Sequence, residues 1–128
     1  MKKKQPEFPY EVDEQIALFE WAGLMESRIP ELKLLNGSLN GVRITIGQAM
    51  KMRRAGMKKG YPDIFLPVRK GRYSGLYIEL KRIKGGSVKP EQKEWLSDLS
   101  MQGFKTCVCK GFDEARGEIE RYFLEGKA

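Results

Sequence analysis

The chain has no histidine among its 128 residues. That absence excludes His-dependent acid–base catalysis and leaves carboxylates as the side chains suited to a hard divalent cation. Cysteine is nearly missing too, with Cys107 and Cys109 the whole supply. They form no Cys-x-x-Cys site, and we expect them to point to opposite faces of one strand as unpaired, buried small hydrophobes. No apolar run approaches the length of a membrane span. Met1-Lys2-Lys3-Lys4 leads into Gln5-Pro6-Glu7 with no apolar stretch behind it, so it does not read as a signal peptide. The expectation is a soluble cytoplasmic protein with no membrane partner.

Charge is plentiful but uneven. Net charge is +7, and Lys51, Arg53, Arg54, Lys58 and Lys59 crowd into one short stretch. A basic excess of this kind favours a polyanionic partner, most often nucleic acid. The bland alternative is a solvated basic face. At this length the chain makes one domain with one core. Residues 1–9 read as a basic N-terminal arm and 10–128 as the domain.

The most informative stretch lies in mid-chain. In Gly75-Leu76-Tyr77-Ile78-Glu79-Leu80-Lys81, apolar residues alternate with Tyr77, Glu79 and Lys81, the period of a strand. Glu79 and Lys81 then share a face. Asp63 opens a second such run, Asp63-Ile64-Phe65-Leu66-Pro67-Val68, and residues 69–75 can turn the two into a hairpin. One carboxylate from each strand can converge on a divalent cation, with an ammonium beside it to orient water or stabilise charge on a phosphate. A lone Glu-x-Lys is usually a solvated strand face; the Pro-Asp ahead of a strand is what weighs against that here.

Pro90 to Leu99 reads as a helix with Pro in its first turn and Gly103 beyond its end. Gln92 shares the stripe of Trp95, Leu96 and Leu99. A polar amide on a buried stripe needs partners, which a hydrated metal and a phosphate would supply; the alternative is a solvated first-turn Gln. Thr45-Ile46-Gly47-Gln48 fits a capping box opening a helix that ends near Gly56 and carries Lys51, Arg53 and Arg54. Val12, Ile16, Phe19 and Leu24 suggest the apolar face of a first helix. Residues 31–35 fit a helical turn or a strand equally well. Thr106 to Cys109 reads as a strand parallel to an earlier one through the Gln92 helix. A last helix from Asp113 turns Ala115, Ile119, Tyr122 and Phe123 to one side.

Taken in order, these residues resemble the VRR-NUC branch (virus-type replication-repair nucleases) of the PD-(D/E)xK superfamily. The match runs from about Glu11 to Leu124. It comprises Glu11 with Gln15, an Asn-Gly, Gly-Tyr-Pro-Asp at Gly60–Asp63, Tyr77 to Lys81, Gln92 to Trp95, Gly103, and Gly111 with Asp113-Glu114-Ala115. The resemblance implies an α/β fold with a mixed central β-sheet flanked by α-helices. It implies a Mg²⁺- or Mn²⁺-dependent DNA endonuclease with Glu11, Asp63, Glu79 and the main-chain carbonyl of Leu80 as metal ligands. Lys81 would position the attacking water and Gln92 would help orient it. Glu14 competes with Glu11 for the first acidic position. The Asn-Gly is either Asn36-Gly37 or Asn40-Gly41, the second bringing Arg43 with it. Small stand-alone relatives imply a phage-type homodimer acting on branched DNA such as Holliday junctions. A non-catalytic nucleic-acid-binding module on the same fold is the alternative.

Overall fold

The computed structural model describes residues 8–38 and 44–125. Most of the basic arm, Asn40-Gly41 and Arg43 lie outside them. Helix α1 (Glu11–Met25) leads through a 3₁₀ turn (Pro30–Leu34) into the short strand β1 (Asn36–Gly37). Helix α2 (Ile46–Arg54), strands β2 (Ile64–Leu66) and β3 (Leu76–Lys81), helix α3 (Pro90–Met101), strand β4 (Lys105–Lys110) and helix α4 (Gly111–Leu124) follow. Residues 31–35 therefore resolve into a helical turn rather than the first strand, and the Asn-Gly of the sheet is Asn36-Gly37.

The four strands lie in sequence order. β1–β2 and β2–β3 pair antiparallel, and β3–β4 pair parallel with α3 as the crossover. The sheet is mixed, as expected. The predicted hairpin is present, with Ile64 opposite Ile78 and Leu66 opposite Leu76.

β3 is buried along its whole length, because it is covered on both faces. Leu76, Ile78 and Leu80 join Ile64 and Leu66 in a core with Leu18 and Ala22 of α1 and Ala115, Ile119, Tyr122 and Phe123 of α4. Alternation sends Tyr77, Glu79 and Lys81 to the other face. There Tyr77 stacks on Phe65 at 4.1 Å between ring centroids, and Phe104 meets both edge-on. α3 lies over this face, with Gln92 hydrogen-bonded to Glu79 and Lys81.

Two expectations are corrected. In α1 the buried residues are Glu14, Leu18 and Ala22, whereas Val12, Ile16 and Leu24 are 62%, 50% and 81% exposed. The helix is apolar nearly all round, so spacing alone could not choose its inner face, and a buried glutamate disguised the real one. Cys107 and Cys109 do not point apart. Residues two apart in a strand share a face, and their sulfurs sit 3.7 Å from one another.

The junction of β4 and α4 depends on glycine. Gly111 has φ of +82°, and a Cβ there would fall 2.8 Å from Ile83 Cγ1 and 3.2 Å from Glu14 Oε2. Without a side chain, strand passes directly into helix, and the Glu14 carboxylate accepts from the Phe112 N–H at the start of α4.

Candidate metal and phosphodiester site

A cleft of about 410 Å³ opens at the ends of β2 and β3, with Glu11, Asp63, Glu79, Lys81 and Gln92 all among its lining residues. The five side chains singled out for catalysis are thus brought together. Glu14 is not among them. Buried and spent on the α4 terminus, it leaves the exposed Glu11, one turn earlier, as the acidic residue of α1 at the cleft.

The local sequence explains the geometry. Extending the β2–β3 register by one alternate pair would set Pro62 opposite Leu80. Proline has no N–H to give to a ladder, and the pairing stops there. The Leu80 N–H donates instead to Asp63 Oδ2 at 2.7 Å. In a strand a residue's N–H and C=O leave on the same side, so the Leu80 carbonyl also faces Asp63 while its side chain enters the core. The Pro-Asp pair thus ends the ladder and supplies the group that occupies its edge.

Glu79 and Lys81 are 2% and 6% exposed. Gln92 ties them together: its Nε2 donates to Glu79 Oε1 at 2.7 Å, and its Oε1 accepts from Lys81 Nζ at 2.9 Å. The same oxygen accepts from the Lys89 N–H at 2.9 Å, fixing the amide to the start of α3. Lys81 Nζ lies 3.5 Å from Glu79 Oε1. Glu79 Oε2 is buried and meets no N–H or O–H donor; the Asp63 carboxyl lies within hydrogen-bond reach of Glu79, so the two can share a proton. A carboxylate oxygen without a donor is costly in such a place, and the cost appears in its titration. Burial, and then the Asp63 charge, push the Glu79 carboxyl up to about 8, with Lys81 only partly opposing them. Asp63 is also raised, by burial first; the Leu80 N–H opposes this and the Glu11 charge adds to it.

The donor set suits a hard divalent cation. Two carboxylates disfavour each other's ionised form, and one oxygen lacks a donor and is shut from water. A cation between them would relieve both conditions. No three His, Cys, Asp or Glu side chains among the described residues already form a cage, so Glu11 lines the cleft without closing a site around Asp63 and Glu79.

The basic residues fall apart from one another. Lys59 lines the cleft and lies 3.6 Å from Glu91. Lys51, Arg53 and Arg54 are exposed on α2, and Lys58 lines a separate apolar groove. Sequence reasoning missed Arg82. Its guanidinium donates to the Phe8 and Pro9 carbonyls at 2.9 and 3.2 Å and lies over the Tyr10 ring, so it anchors the segment that carries Glu11. Only its position next to Lys81 hinted at such a role.

Comparison with known proteins points to one family. A solved structure described as a VRR_NUC domain protein superposes with a TM-score of 0.77 at 28% identity, covering 91% of this chain and 90% of its own. No curated protein matches significantly. The family model for the VRR-NUC domain matches residues 22–113, a span that holds Asp63, Glu79, Lys81 and Gln92 and begins after Glu11. With that match over most of its length, the chain belongs to the VRR-NUC family of nucleases.

Proposed function

We propose that the protein is a divalent-metal-dependent DNA endonuclease, selective for branched DNA, that works as a homodimer. The observation that carries the chemistry is the buried Glu79, with one oxygen lacking a donor, beside Asp63 and linked through Gln92 to Lys81.

Glu11, Asp63, Glu79 and the Leu80 carbonyl would hold Mg²⁺ or Mn²⁺. When bound, such a cation lowers the pKa of a coordinated water and offsets the charge that builds on the phosphate. Lys81 holds a positive charge within the cleft, where low dielectric strengthens its hold on an attacking water or a non-bridging oxygen. Gln92 keeps that ammonium and the Glu79 carboxylate in fixed relation, so neither has to reorganise as charge moves. The exposed cations of α2 and the following loop favour the phosphate backbone. The non-catalytic alternative is the weaker reading, because a degenerate member would have lost an acid or the lysine, whereas Glu11, Asp63, Glu79 and Lys81 all line the cleft.

Branched DNA is what the resemblance to small stand-alone relatives implies, and the dimer follows from that substrate by counting cuts. Each chain carries one such cleft, while a four-way junction is resolved by two cuts in symmetry-related strands. A two-fold dimer supplies two identical clefts in fixed relation. The test is cleavage by the purified protein of duplex, single-stranded, flap and four-way-junction DNA in parallel, with Mg²⁺ or Mn²⁺ and with chelator. Metal-dependent cutting that favours the junction is expected; undiminished cutting with chelator overturns the metal reading, and equal rates on duplex overturn the preference. Light scattering that shows only a 14.7 kDa species with and without junction DNA overturns the dimer.

A further inference from the structure

Beside the carboxylate cleft runs an apolar groove of about 660 Å³, with Met52, Ala55, Met57, Tyr61 and Trp95 among its lining residues. Among the described residues no side chain fills it. No residue of α2 is buried, and Ile46 and Met50 of that helix are 81% and 58% exposed.

Three features describe what would fill it. The first is continuity: Tyr61 lines both the groove and the cleft that holds Asp63 and Glu79. Second, its aromatic walls are already fixed. The Tyr61 hydroxyl donates to the Tyr77 hydroxyl at 2.9 Å, the Tyr61 and Trp95 rings meet edge-on at 5.2 Å, and the Trp95 indole N–H donates to the Lys59 carbonyl at 3.1 Å. A guest would therefore meet aromatic walls that need no further ordering. The third is polarity. Lys58 lines the groove, and Lys51 lines an adjoining depression that shares Met52 and Ala55.

We propose that this groove receives one unpaired nucleobase of the DNA substrate, whose backbone passes over Tyr61 into the carboxylate cleft. The inference rests on the nuclease reading above and adds the substrate feature that this chain selects. A base is planar and uncharged, which matches fixed aromatic walls. Its phosphates match the lysines. Stacking of a base on an aromatic side chain tightens binding roughly 5- to 100-fold. A fully paired duplex keeps its bases stacked inside and gives that up, whereas a bulge or the centre of a branch presents a base already out of the stack.

Binding tests this separately from cleavage. The Glu79→Gln chain would be titrated with three duplexes: fully paired, carrying a one-nucleotide 2-aminopurine bulge, and carrying an abasic residue at the bulge. The expected result is roughly tenfold tighter binding of the 2-aminopurine bulge than of the paired duplex, a change in its fluorescence on binding, and loss of the advantage when the base is absent. Ala55→Trp, at an exposed position, should fill the groove and remove the preference for the bulge. Equal affinity for base and abasic bulges, or a preference that survives Ala55→Trp in a folded chain, overturns the proposal. Cleavage of DNA without this discrimination sinks the groove and spares the nuclease; discrimination by a chain that never cuts sinks only the nuclease.

Discussion

Glu14 of α1 accepts a hydrogen bond from the backbone N–H of Phe112 at the start of α4. The contact joins residues far apart in the chain and separates two neighbouring acids by task, Glu14 holding helices together and Glu11 facing the cleft. Glu14→Ala should cost about 1–3 kcal/mol of stability, the penalty of leaving a buried group unpaired. Glu11→Ala should melt like the parent and cut DNA more slowly. Thermal denaturation and cleavage rates of the two variants decide it, and the reverse pattern would return Glu14 to the metal.

The Glu79–Gln92–Lys81 chain makes a graded prediction. Lys81→Ala should lower the cleavage rate on the order of 10²–10³-fold, as loss of a preorganised charge does. Gln92→Ala should lower it about 10–100-fold, as loss of an orienting partner does, with DNA affinity nearly unchanged. Single-turnover rates beside equilibrium binding separate the two effects. Full activity of Lys81→Ala at neutral pH would sink the mechanism.

The buried carboxylate also sets a pH dependence in metal-free protein. The folded Glu79 carboxyl is raised from 4.5 to about 8. A carboxyl raised on folding favours the folded state below its unfolded value, and that contribution is lost as pH rises through the folded one. Melting temperature in chelator should therefore fall from about pH 4.5 towards 8. Glu79→Gln should flatten the fall. Metal binding should release protons across the same window and tighten with pH; a flat pH profile in chelator removes the argument.

Lys51, Arg53 and Arg54 are exposed on α2 and touch no part of the cleft. Changing all three to Ala should weaken DNA binding broadly across sequences and reduce the slope of log Kd against log salt by about 2–3. Titrations at several salt concentrations measure it. An unchanged slope places the DNA backbone elsewhere.

The site was legible because its residues sit on elements with a strong local signal. β3 alternates cleanly, so Glu79 and Lys81 had to share a face, and Pro62-Asp63 marks the point where the ladder ends. Gln92 could be read from its stripe, although the hydrogen bonds that give it a task span two elements. α1 was legible as a helix and not as a surface, since Leu18 and Ala22 are chosen over Val12 and Ile16 by α4, which sequence spacing cannot reveal. The thiols show the limit of applying a period carelessly: two residues on is the same face, and Cys107 and Cys109 follow that rule. Arg82 was invisible because its partners are backbone carbonyls at Phe8 and Pro9, a kind of partner that leaves no mark in side-chain pattern.

The Glu14–Phe112 contact also bears on synthesis. It spans 98 residues, and α1 has no other helix to pack on of comparable extent. Until the ribosome has extruded α4, α1 can settle only on the 3₁₀ turn and β3, and the Glu14 carboxylate still lacks the N–H it serves. The first helix made is thus held by the last, and a chain interrupted before Phe112 leaves the Glu14 carboxylate without its donor.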